Sequence, residues 1–254
     1  MARVTPTLGA ICLLTTTLAA QQPAPAFEVA SIKRNTVDVG IPFGPTQPDG
    51  INLINRPVES LVRAAYGVEF FRLVGLPAWA NQERYDVIAK AARPITEAER
   101  RLMLRALLIE RFGLKTHFEP REQTVYVMTR ARADSALGPG LKPRPDCAKA
   151  DPPCVSGGSA FADGRLSLKA TTLDGFATGL LSALLESMVV NEVKLDGHFD
   201  VELSWRPDNV SPDANDKRPS LFAALTDQLG MKLTAQRRPV DVLVVDQIQR
   251  PTAD

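Results

Sequence analysis

The sequence predicts an α+β protein made of two tandem repeats of one unit, with mainly antiparallel sheets. Two observations carry this. The same succession of alternating and helical apolar patterns occurs twice along the chain, and the interval from Gly50 to Asp86 equals that from Gly164 to Asp200. In each copy, moreover, the last two strands are separated by only a few residues, which suits an antiparallel hairpin and not a parallel crossover.

The first copy opens at Gly50 with a short alternating strand, Ile51 to Ile54. Pro57 then precedes a helix in which Val58, Leu61, Val62, Ala65 and Tyr66 share one face, and Gly67 stops it. Arg72 to Gly75 and Tyr85 to Ala89 read as strands. Thr96 and Glu99 form a capping box that opens a helix running to Phe112 and closed by Gly113. Two strands follow, Leu114 to Phe118 and Thr124 to Thr129, and Glu119 to Gln123 is expected to be the turn between them.

The second copy opens at Gly164 with Arg165 to Lys169. Thr172 caps a helix from Leu173 to Leu185 whose apolar face includes Phe176, Ala177, Leu180 and Leu181. Phe199 to Leu203 is the counterpart of Tyr85 to Ala89. Ser220 caps a helix closed by Gly230, and Met231 to Ala235 and Val240 to Asp246 are expected to pair through a turn at Gln236 to Pro239. Each half therefore reads strand, helix, strand, strand, helix, strand, strand, with helices on one face of the sheet. The expected organisation is a signal peptide at 1–20, a first repeat at 27–130, a linker rich in Pro and Gly at 131–163, and a second repeat at 164–251. Phe27 to Ile32 reads as an extra strand before the first copy, and Asp208 to Pro219 as a surface loop.

Arg3, the apolar run Leu8 to Ala20 and the small residues before Gln21 follow the order of a secretory signal, so export to the periplasm or beyond is expected. Cys12 lacks the flanking residues of a lipoprotein signal. No later stretch has the roughly 20 apolar residues of a membrane helix. Thirty Lys and Arg against 29 Asp and Glu, with no block of either sign, leave no electrostatic footprint for nucleic acid. Cys147 and Cys154 lie close together in a Pro-rich loop, where an oxidising compartment favours a local disulfide over a metal site that lacks further ligands nearby.

Several segments together resemble the domain-of-unknown-function family 3738, a set of secreted bacterial proteins. They are Phe27 to Asn35, Leu61 to Val68, Gly75-Leu76-Pro77-Ala78-Trp79, Arg84 to Lys90, Arg111 to Lys115, and Pro239 to Asp246. The resemblance spans about residues 27 to 251 and implies no established activity. Some relatives are fused to membrane metallopeptidase sensors, which implies an extracytoplasmic sensing role. The pattern Asp-x-Thr-Gly-Leu-x-Gly is expected before the second aromatic-Asp pair; this chain has Asn191 to Gly197 there, where Asp196-Gly197 still supplies turn chemistry.

No catalytic set emerges. His198 has Arg84 as its counterpart in the first copy, which argues against a duplicated metal site and for a strand-end residue. His117 falls on the polar face of its strand. Asp86 and Asp200 are equivalent acids that each follow an aromatic, as residues capping a turn or pairing with Arg would. Most aromatics, Tyr66, Phe112, Phe176 and Phe222 among them, lie on helix faces facing a core. Trp79 beside Pro77, and Phe43 in the apolar loop Gly40 to Pro45, are the candidate binding residues; for Trp79 the competing reading is a ring folded over the sheet edge. No metal or cofactor motif occurs. The expected function is a non-enzymatic binding or sensing module for an envelope protein or small ligand. The alternative is an extracytoplasmic hydrolase drawing on Glu83, Asp86 and Asp200.

Overall fold

The computed structural model describes residues 25–36, 47–131, 137–149, 154, 156–160, 164–207 and 216–251. The signal segment, the Gly40 to Pro45 loop with Phe43, and most of the loop after Asp208 lie outside the described residues. The protein is mixed α and β with mostly antiparallel sheets.

In the first lobe, β1 (Val29–Asn35), β2 (Gly50–Pro57) and β4 (Arg84–Lys90) form an antiparallel sheet in the order β1-β4-β2. Helix α1 (Val58–Tyr66) buries Val58, Leu61, Val62 and Ala65, and Gly67 ends it in the left-handed region at φ 66°. A 3₁₀ turn (Phe70–Arg72) leads into the two-residue strand β3 (Leu73–Val74), and α2 (Trp79–Gln82) precedes β4. Helix α3 (Glu97–Phe112) has both halves of its capping box formed and stops at Gly113. These caps satisfy backbone groups that a helix end otherwise leaves open.

In the second lobe, β6 (Leu141–Pro143), β7 (Gly157–Ala160), β8 (Arg165–Thr171) and β10 (Phe199–Ser204) form a sheet in the order β6-β10-β8-β7. The segment 131–163 is thus more than a linker, since it supplies both edge strands. The first helix is π-wound over Gly175–Leu181 and ends in α4 (Ser182–Leu185), with the Thr172 hydroxyl accepting from the Gly175 N–H at 3.0 Å. The second begins as α5 (Leu221–Ala224), capped by Ser220, and is π-wound over Leu225–Leu229 before Gly230 ends it. Between them lies β9 (Val189–Asn191).

The expected hairpins do not form. Lys115–Arg130 is one continuous strand, β5, and Met231–Gln247 is another, β11. They pair antiparallel with each other along almost their whole length, so Glu122 faces Pro239 and Thr124 faces Arg237. The polar residues read as turns lie in the middle of this ribbon. Pro120 and Pro239 fit there because β3 and β9 reach β11 and β5 only near the ribbon's two ends. At its centre each strand has an open edge, where a missing N–H costs little.

The completed sheet runs β3-β11-β5-β9, with both short outer strands parallel to their neighbours. Leu73 meets Leu243, and Val189 meets Tyr126. Leu243 and Tyr126 stand at the same interval beyond Gly230 and Gly113. Each long strand therefore begins in one lobe and ends in the other. Leu243 and Val245 of β11 are buried in the first lobe's core with Leu61, Leu108 and Phe112, whereas Met128 of β5 is buried in the second with Phe176, Leu229 and Met231. Burial of one such side chain contributes about 1.5–3 kcal/mol, so β11 gives the first lobe about twice what Met128 gives the second.

Candidate functional site

Described residues of the first lobe, from positions 59 to 81, line an open groove of about 560 Å³. One wall is α1, which presents Glu59 and Arg63 one turn apart; their side chains meet at 3.2 Å. The other wall is β3 and the loop after it, with Leu73, Gly75 and Leu76. Phe70 closes one part of the rim and Asn81 of α2 another. The Arg63 guanidinium lies 5.6 Å from the centre of the Phe70 ring, within cation–π range. Phe70 is 36% exposed and meets the Phe71 ring edge-on at 5.4 Å.

The wall formed by β3 depends on β11. Arg72 donates from Nε and Nη2 to the Asp241 carbonyl at 2.9 and 2.8 Å, which fixes the 3₁₀ turn carrying Phe70. Gly75 has φ +86°, and a Cβ there would lie 2.6 Å from the Val245 carbonyl oxygen. Only glycine meets both conditions.

Of the candidate binding residues, Trp79 sits at the start of α2, close in sequence to Leu76 and Asn81 of the groove. It is half-buried against the first core, and the Arg250 guanidinium covers its ring at 5.0 Å. Arg250 also donates to Glu83 at 2.9 and 2.7 Å, and Glu83 accepts from the Tyr85 hydroxyl at 2.9 Å. Arg250 beside Glu83 holds that carboxyl below its ordinary pKa, and burial together with Glu83 pushes the Tyr85 hydroxyl up to about 12. Trp79 is thus a packed and covered ring. Pro77 is half-buried and its carbonyl accepts from the Ala80 N–H at 2.9 Å. Sequence reasoning missed Phe70, Arg63 and Leu73; an apolar residue outside any periodic face was the one available signal, at Phe70.

The acids of the hydrolase reading do not meet at the groove. Asp86 in β4 accepts from the Asn55 N–H at 2.8 Å, and Asp200 in β10 accepts from the Ala170 N–H at 3.1 Å, in different sheets. Asn55 and Ala170 sit at bulges of β2 and β8 with φ of 55° and 52°. A left-handed backbone costs a non-glycine residue roughly 1–2 kcal/mol, and a hydrogen bond to a charged group returns a similar amount. Each aspartate stabilises a strained bulge. Burial raises the Asp200 pKa, but the Ala170 N–H, Lys169 and Arg144 outweigh it and leave the carboxyl below its usual value.

Cys147 and Cys154 are bonded, with Cα atoms 5.3 Å apart. Asp146 adjoins them, yet both sulfurs are committed to the bond, so this cluster offers a cation a single carboxylate. His198 is half-exposed just before β10, and its carbonyl accepts from the Arg144 N–H at 2.8 Å. His117 is exposed on β5, with Nδ1 2.9 Å from Asp246 and Nε2 3.5 Å from Glu119. Phe112 and Phe176 are fully buried, as expected of core aromatics. Phe222 is not: it is 42% exposed and meets Tyr126 edge-on.

Residues 59–248, about three quarters of the chain, match the model of the family described as "Protein of unknown function (DUF3738)". The chain belongs to this family. No curated protein and no solved structure matches it. Among the described residues, no helix is long and apolar enough to cross a membrane.

Lys194 has φ +53°, in the left-handed region that favours glycine. Lys194→Gly is expected to raise stability by about 0.5–1 kcal/mol, after the added freedom of the unfolded chain is discounted. Urea unfolding checks this, and a lowered midpoint would contradict it.

The Asp246 carboxylate, with Glu119, raises the His117 pKa above its ordinary 6.5. A raised pKa means that the stabilisation is complete below the unfolded value and disappears as pH climbs through the folded one. An NMR titration should place the His117 midpoint above 6.5, and Asp246→Asn should bring it down; a midpoint unmoved by that change would rule out the pairing.

Proposed function

We propose that this DUF3738 member is a non-enzymatic binding module of the cell envelope that receives an envelope protein or small ligand in the first-lobe groove. The groove carries the reading: it is open, and it brings Leu73 and Leu76 beside an exposed ring and a half-exposed guanidinium. The acids that would serve a hydrolase stabilise bulges or hold Arg250, so no observation favours that alternative. Export rests on the charged, apolar and small-residue order of the first 20 residues.

Hydrogen exchange read by mass spectrometry, with and without a soluble extract of the native envelope, tests the reading. Added protection concentrated in peptides covering residues 59 to 81 is expected. Protection confined to other regions, or none at any extract concentration, would remove the groove from consideration.

A further inference from the structure

We propose that the groove takes an extended peptide of a partner protein, which adds as a strand along β3 and places an acidic side chain against Arg63. This rests on the reading of the groove as a binding site and names the class of ligand.

Three observations lead to it. First, β3 is the outermost strand of its sheet, so one backbone edge of Leu73–Val74 has no partner strand among the described residues. Such an edge is a template for another chain. Second, α1 stands across the groove from β3, which gives the strand-and-helix walls that hold added strands in peptide-recognition domains. At 3.3–3.4 Å per residue, alternate side chains of an added strand would face the same wall about 7 Å apart. Phe70, Leu73 and Leu76 offer apolar surface for them.

The third observation is charge. Arg63 donates to Glu59 from Nη1 at 3.2 Å and to the Val68 carbonyl from Nε at 3.5 Å, and its side chain remains 35% exposed. Its Nη2 is the amino group these two contacts do not use. Glu59 and the Phe70 ring hold the guanidinium in place, which lowers the entropic cost of engaging a carboxylate. Glu59 disfavours a second acid close to its own oxygens, so the expected ligand carries one acidic residue beside an apolar one. A fully anionic segment does not fit.

A phage-displayed library of random eight-residue peptides, selected on the full chain, tests the proposal. Enriched peptides should alternate apolar and polar residues and include an acid. For one synthesised peptide, methylating the backbone nitrogen that faces β3 should weaken binding about fivefold, the scale of losing the one hydrogen bond that a two-residue edge can accept. Arg63→Gln should weaken it about tenfold and remove the preference for aspartate over asparagine. Leu76→Glu should abolish selection. If that variant fails to fold, the methylated peptide and Arg63→Gln still decide the matter. Equal binding of the methylated peptide, or enrichment unchanged by Arg63→Gln, would overturn the proposal. So would concentration-dependent self-association through residues 59 to 81. If no peptide is enriched while envelope extract still protects residues 59 to 81, the peptide inference fails and the groove reading survives. Failure of both leaves neither.

Discussion

The pairing of β5 with β11 is the constraint on which the rest of the structure depends. Sixteen residues of one strand and 17 of the other cross between the lobes, and each ends in the core of the opposite lobe. Neither half can complete its core from its own sequence. Leu243 and Val245 arrive in the first lobe from the far end of the chain, beside side chains that precede them by more than a hundred residues. Closing that loop costs entropy only as the logarithm of its length, so a few buried side chains offset it.

The groove inherits this dependence. Its β3 wall is held parallel to β11, its Phe70 turn is tied to the Asp241 carbonyl, and its glycine lies against the Val245 carbonyl. Beyond the strand's end, the Gln249 N–H donates to the Phe112 carbonyl at 2.8 Å, and Arg250 covers Trp79 while bonding Glu83. The C-terminal segment therefore shapes a site whose described lining residues come from positions 59 to 81. A ligand that engaged β3 would lie against a strand held in place by β11, which is anchored in both lobes.

Much of the local structure was legible in the sequence because its signals are local. Thr96 with Glu99, Thr172, Ser220, and the stops at Gly67, Gly113 and Gly230 each act within one turn of a helix, and all appear as expected. The bulge acids were legible through a shared register, since Asp86 and Asp200 could be recognised as equivalent without knowing what they held. The ribbon was not legible. Alternation identifies a strand but not its partner, and the exposed polar run around Pro120 looks the same as a turn or as the two-stranded middle of a ribbon. The groove was legible only at its margin. Leu73 read as an ordinary strand residue until β11 brought β3 opposite α1. Trp79 drew notice by residue type, whereas its cover, Arg250, lies too far along the chain for any local pattern to reveal.

Cross-strand NMR contacts in the full chain test the exchanged ribbon most directly. Backbone proton contacts between His117 and Val244, and between Val127 and Thr234, are the result this structure requires. Contacts between His117 and Val125, with none to Val244, would mean that β5 folds back on itself as a hairpin, and the shared sheet and the groove built on it would not stand.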